Sequence, residues 1–258
     1  MTMRGGAIHL ILVAVLAPAG CQPAVDLELS RKFQQAQADF DRAQTPDDYL
    51  RVANLYQEII DAGVVSGALL YNQGNALMRA GSRGRAVACY RKAQRYRPRD
   101  PYLDANLRFA LATEGARPAS RSILDHLLFW QNWLAYPDKF RLTAGAALLA
   151  FGLGVAALYV RRRRLCNRLA LVALSATLLL AFSAAYDWYR FVCVEHGVVI
   201  RDGVVARKGN AESYEAAFTE PLAEATEFQV VERRGGWILI RLAAAQEGWV
   251  EQDDVVTF

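Results

Sequence analysis

Leu142-TAGAALLAFGLGVAALY-Val160 and Leu169-ALVALSATLLLAFSAA-Tyr186 carry no charged residue, and between them lies Arg161-Arg162-Arg163-Arg164-Leu165-Cys166-Asn167-Arg168. Each uncharged stretch approaches the roughly 20 apolar residues that a helix needs to cross a bilayer core. Short connections rich in arginine stay on the cytoplasmic side. The reading is a transmembrane hairpin: 141–160 as the first span, 161–168 as the cytoplasmic loop, 169–187 as the second span. Arg161, Arg162, Arg163, Arg164 and Arg168 are its topology determinants. Everything before and after the hairpin is then expected on the exported side of a bacterial inner membrane. The alternative is a buried helical pair in a soluble core, but core connections do not normally gather five arginines.

Composition fits this division. Of 258 residues, 53% are hydrophobic, and they cluster in blocks. The net charge is +4, yet the arginine loop alone supplies five positives. The exported parts are therefore near neutral, and the basic balance gives no reason to expect nucleic acid. Cys21, Cys89, Cys166 and Cys193 form neither a disulfide framework nor a zinc-ligand spacing.

The first 20 residues read as a signal sequence. Arg4 is basic, Ile8–Leu16 is apolar, and Ala17-Pro18-Ala19 offers small residues for cleavage. Gly20-Cys21 also suits lipidation of the cysteine, although Pro18 departs from that pattern. Lipidation, simple cleavage and an uncut anchor all leave the next segment exported.

Residues 27–116 have a helical pattern with a repeat. Phe33 and Gly67 open two units one 34-residue period apart. In the second unit Gly74, Leu77, Ala86, Tyr90, Ala93 and Pro98 stand where a tetratricopeptide repeat wants Gly, an aromatic, Ala, an aromatic, Ala and Pro. Gly74 and Ala86 are small where paired helices cross, Tyr90 fills the space between pairs, and Pro98 ends a helix. Gln73 stands where an apolar residue is usual and suits a dry pocket poorly. Thr45-Pro46-Asp47-Asp48 and Asp100-Pro101 are helix starts. Repeats of this kind bind partners through the face of each first helix. The candidate peptide-binding residues on that face are Asn72, Asn75, Arg79 and Asn106. The competing reading is that these asparagines satisfy bonds between helices.

Residues 117–140 read as a linker and interfacial helix, with Trp130 and Trp133 at the membrane surface. Small residues recur every four positions in both spans: Ala146, Ala150 and Gly154, then Ala173, Thr177, Ala181 and Ala185. They predict close packing inside the hairpin, with a partner surface as the alternative. Residues 191–258 change to β-branched runs and glycine turns. Strands are expected in Val192-CVEHGVVIRDG, in Glu227-FQVVERR, in Trp237-ILIRL after Gly235-Gly236, and in Gly248-WVEQDDVVTF. This order resembles bacterial SH3-like barrels, where the second tryptophan packs inside. Trp249 is thus expected in the core, and Trp237 is the candidate barrel surface.

The fold class read here is multidomain: an all-α tetratricopeptide repeat domain, a two-helix transmembrane hairpin and an all-β SH3-like barrel. The whole order resembles the BatE family of the Bacteroides aerotolerance (Bat) operons. The match is carried by Tyr71-Asn72-Gln73-Gly74-Asn75-Ala76, Gly81, Ala86, Tyr90, Ala93, Pro98-Arg99-Asp100 and Asn106-Leu107. The resemblance implies a non-enzymatic envelope scaffold working beside membrane proteins with von Willebrand A domains and a MoxR-type ATPase. It assigns no catalytic residue, cofactor or metal. The runner-up is a peptidoglycan-associated binding protein that recruits a cell-wall enzyme.

Overall fold

The computed structural model describes residues 23–112, 129–243 and 245–258. The signal sequence with Cys21, and residues 117–128 of the linker and interfacial segment, lie outside the described residues.

The N-terminal region consists of paired helices: α1 (Pro23–Arg42), α2 (Pro46–Asp61), α3 (Gly67–Arg79), α4 (Arg83–Gln94) and α5 (Pro101–Leu111). Each packs on the next. The start of α2 is set by a capping box, in which Thr45 Oγ1 accepts from the Asp48 amide and Asp48 Oδ2 accepts from the Thr45 amide. Asp100 caps α5 by accepting from the Tyr102 and Leu103 amides. The core is built from Val52, Tyr56, Ile59, Leu69, Val87, Tyr90 and Leu103, all nearly inaccessible to solvent. Gly74 is required there: a Cβ at that position would sit 2.5 Å from the Tyr90 ring.

A 3₁₀ turn, Phe129–Trp133, leads into two long apolar helices, α6 (Tyr136–Tyr159) and α7 (Arg163–Trp188). At 1.5 Å per residue, the 24 residues of α6 span about 36 Å, enough to cross a hydrocarbon core of roughly 30 Å. Their large side chains point outward; Phe151 is 73% exposed and Leu158 78%. Arg163 and Arg164 belong to the first turn of α7, so the connection itself is only residues 160–162.

The two helices meet through small residues, and the four-residue stripe follows the seam part of the way: Ala173 is buried and Ala146, Ala150, Thr177 and Ala181 are half-buried, before the stripe leaves the contact at its end. Ala157, Ala173 and Ala184 are buried between them, whereas a Cβ added at Gly154 would meet nothing within 4 Å and Ala185 is exposed. The cause is helical geometry. Four residues advance about 400° around the axis, so a strict four-residue stripe drifts about 40° per step away from the seam. The seam instead alternates steps of three and four.

The C-terminal unit is a five-stranded antiparallel sheet in the order β4-β3-β2-β1-β5. Its strands are β1 (His196–Val199), β2 (Glu227–Arg234), β3 (Trp237–Arg241), β4 (Glu247–Glu251) and β5 (Val255–Thr257). Gly235 and Gly236 have φ of +55° and +84°, the left-handed pair that a tight hairpin demands. In β3, Ile238 and Ile240 alternate into a core with Val199, Leu222, Phe228 and Val250. The segment between β1 and β2 is closed on itself by a bridge from Val204 to Leu222 and joins the sheet through a bridge from Arg207 to Trp249. One strand expectation changes. Residues 192–195 do not open a strand, because Tyr189–Cys193 prolongs α7 as a wide turn. Within Gly248–Phe258, Gln252–Asp254 separates β4, which holds Gly248-Trp249-Val250, from the closing strand β5.

The sheet docks on α4. Arg91 donates from Nε and Nη2 to the two carboxylate oxygens of Glu227, at 2.6 and 2.8 Å. Glu224 Oε1 accepts from the Gly84 amide at 2.7 Å. Ser82, at the N-cap of α4, makes no side-chain cap bond. A carboxylate borrowed from the sheet unit thus occupies the positive end of α4. Gly84 permits the approach: a Cβ there would lie 2.2 Å from the Val199 carbonyl oxygen.

Candidate functional site

The predicted binding residues divide into two groups. Asn75 and Asn106 come together on the α3–α5 side. Asn75 Oδ1 accepts from the Tyr90 hydroxyl at 2.9 Å and from Asn106 Nδ2 at 2.9 Å, and Asn106 Nδ2 also reaches the Tyr71 hydroxyl at 3.1 Å. Asn72 instead sits half-buried beside the Tyr56 hydroxyl on the α2 side. The Arg79 guanidinium lies over the Tyr49 ring, 6.0 Å from its centre. The Tyr90 hydroxyl is raised well above its ordinary value by burial. The Asn75 and Asn106 amides are therefore engaged inside the helical region, tying α3 to α4 and α5.

An open concavity lies elsewhere, on the side of α2 and α4, with a volume of about 470 Å³. Gln57, Gln73 and Cys89 form its polar floor. Gln73 is buried, yet its side chain is satisfied: Nε2 donates to Gln57 Oε1 at 2.8 Å, and Oε1 accepts from Cys89 Sγ at 3.2 Å. The expectation that Gln73 fits badly is thereby corrected. The surroundings of Gln73 are polar at that point, with hydrogen-bond partners from α2 and α4. Burial pushes the Cys89 thiol up to about 12, which favours the protonated form that donates to Gln73. Ile60, Leu70 and Leu77 supply apolar wall, Arg85, Lys92 and Arg95 supply cations, and no carboxylate among the described residues lines the groove. Such a groove suits an extended segment with apolar side chains and an acidic group. The sequence signal for it was present in Gln73 itself, a polar residue on an otherwise apolar helix face.

Trp249 is buried, as expected, with Arg234 over its ring. Trp237 is half-buried at the edge of a cleft of about 280 Å³ shared with Arg201, Arg207, Glu251 and Asp254. Arg201 donates to Asp254 across it at 2.7 Å.

One cluster escaped the sequence reading. Lys139, only 1% exposed, donates to Asp187 Oδ2 at 2.5 Å and to the Gln131 carbonyl at 2.6 Å. Gln131 Nε2 donates to Asp187 Oδ1 and to the Ser183 carbonyl, both at 2.7 Å, and Ser183 Oγ closes the network on Gln131 Oε1 at 2.8 Å. Lys139 and Asp187 look in sequence like flanking charges that face water. Here they pair across the mouth of the two apolar helices and hold the 3₁₀ turn between them. Cys89, Cys166 and Cys193 are free thiols, and among the described residues no group of three or more His, Cys, Asp or Glu is placed to hold a metal. Comparison of the chain with protein-family models, curated proteins and solved structures returns no match.

Proposed function

We propose that this chain is a non-enzymatic scaffold of a bacterial envelope complex. The two apolar helices anchor it in the inner membrane. The helical region acts as a tetratricopeptide-type repeat domain and the sheet as an SH3-like barrel, both on the exported side. The outward-facing phenylalanines and leucines of α6 and α7 support the anchor, because a soluble protein would bury them. The resemblance to BatE supplies the partner class: membrane proteins with von Willebrand A domains, coupled to a MoxR-type ATPase.

The observation that carries this reading is the groove. It is an unfilled concavity with a hydrogen-bonding floor, apolar walls and cations with no carboxylate among its described lining residues. We assign partner capture to it rather than to Asn75 and Asn106, whose amides hold helices together. The test is pull-down of the full chain in mild detergent with mass spectrometry. Arg85→Glu with Lys92→Glu should reduce capture of a von Willebrand A-domain protein by about tenfold or more, since charge-assisted bonds contribute about 1.5–3 kcal/mol each. Circular dichroism checks the fold. Undiminished capture by a folded double variant would move the binding site away from the groove. The peptidoglycan reading rests on the polar cleft beside Trp237, and capture of cell-wall fragments lost in Trp237→Ala would favour it instead.

A further inference from the structure

The end of the helical region nearest α6 carries a second cleft. It lies between the α4–α5 turn and the residues just before α6, has a volume of about 450 Å³, and is lined by Arg97, Arg99, Asp100, Tyr102 and Trp133 together with two prolines and Ala135. We propose that it binds the headgroup of an anionic phospholipid in the leaflet where the hairpin ends. The proposal rests on the membrane-anchor reading given above.

The position of the cleft is fixed by backbone contact. The Tyr136 amide, at the first residue of α6, donates to the Arg95 carbonyl at 2.8 Å. The end of α4 is therefore one hydrogen bond from the start of a membrane-crossing helix. The Arg95 guanidinium lies 4.8 Å from the centre of the Phe191 ring, just beyond α7. The cleft thus stands at the level where both apolar helices begin to face headgroups.

Its side chains suit that level. Tyr102 is 73% exposed and Trp133 59%, and Trp188 and Tyr189 at the end of α7 are exposed as well. Amphipathic rings of this kind favour the interface between hydrocarbon and water. Arg97 is paired with Asp100 and lies over Tyr71, so its charge is largely answered. Arg99 is exposed and forms no ion pair among the described residues. One guanidinium beside two exposed rings matches a phosphate ester next to glycerol and acyl carbon. The α2–α3 turn adds to the same end, because Gly67 packs against Tyr96 and Arg97, and Val64 and Val65 beside it are exposed.

The test uses the purified full chain in mild detergent and native mass spectrometry. Phosphatidylglycerol should be retained in preference to phosphatidylcholine. Arg99→Gln should reduce its retention about fivefold, the weight of one arginine at an anionic surface. Trp133→Ala should also reduce retention, and Arg108→Gln, on α5 away from the cleft, should leave it unchanged. Equal retention of the two lipids, or an Arg99→Gln variant that retains phosphatidylglycerol fully, overturns the proposal. Competition by free glycerol phosphate at equal concentration also overturns it, since the site would then take soluble phosphates. Alkaline carbonate extraction of membranes separates this outcome from failure of the anchor reading. A chain released by carbonate removes both. A chain that stays in the membrane without lipid preference removes only the headgroup site.

Discussion

Single atoms decide two features of this molecule. Gly84 lies in α4, where alanine ordinarily stabilises a helix by about 1 kcal/mol over glycine. Here the added methyl would press on the Val199 carbonyl. Gly84→Ala is expected to lose about 1–3 kcal/mol through overpacking, against its helix propensity. Loss of hydrogen-exchange protection in β1, with α3 unaffected, would register it. Asn75→Ala removes the acceptor for the Tyr90 hydroxyl and for Asn106. It should cost about 1–3 kcal/mol in thermal unfolding while leaving partner capture intact below the transition. That Gly74 must be small was legible in the sequence, from its place in the 34-residue pattern; that the Tyr90 ring is what it meets was not. Gly84 was not, since its partners Val199 and Glu224 come from another unit and no periodicity connects them.

Among the elements, the two apolar helices provide a paired comparison. Ala157→Leu enlarges a buried seam position and is expected to destabilise the hairpin by about 1–3 kcal/mol. Gly154→Leu meets open space and should be neutral or slightly stabilising in detergent melts. The Lys139–Asp187 pair gives a second contrast. Lys139→Met leaves a buried carboxylate without its cation and should cost about 3–5 kcal/mol. Lys139→Met combined with Asp187→Leu should recover most of that loss, which a double-mutant cycle would measure. The helices themselves were readable, because uncharged length and an arginine run are strong signals. Their seam was legible only in part, because small residues at every fourth place suggest a straight stripe that a 3.6-residue turn keeps for no more than two or three steps, so Gly154 and Ala185 fall outside it. The ionic network was hidden for a different reason: each member sits at a helix end, where charge is ordinary.

At the scale of the whole molecule, the helical region, the hairpin and the sheet meet around His196. Burial holds its imidazole below the usual 6.5, and the nearby Arg190, Arg95 and Arg91 act in the same direction against Glu227. Well above pH 6.5 the side chain is neutral in both folded and unfolded chains and has no effect. As pH falls below 6.5 the unfolded chain takes up the proton first, so stability declines until the folded-state pKa is passed. Melting temperature should therefore drop between pH 7 and 5, and His196→Gln should flatten that drop. Asp48, held down to about 2, and Glu195, held below 4.5 by Arg233, titrate at lower pH and do not overlap. The joint between helical region and sheet also has a schedule. Glu224 and Glu227 follow Gly84 and Arg91 by 140 and 136 residues. A ribosome adding about 5–20 residues per second leaves that interval open for on the order of ten seconds. Throughout it the first turn of α4 is uncapped by the sheet and Arg91 lacks its carboxylate. Synthesis that stops short of residue 224 leaves them so permanently, and a protease that reads that bare surface has a means of telling an unfinished chain from a finished one.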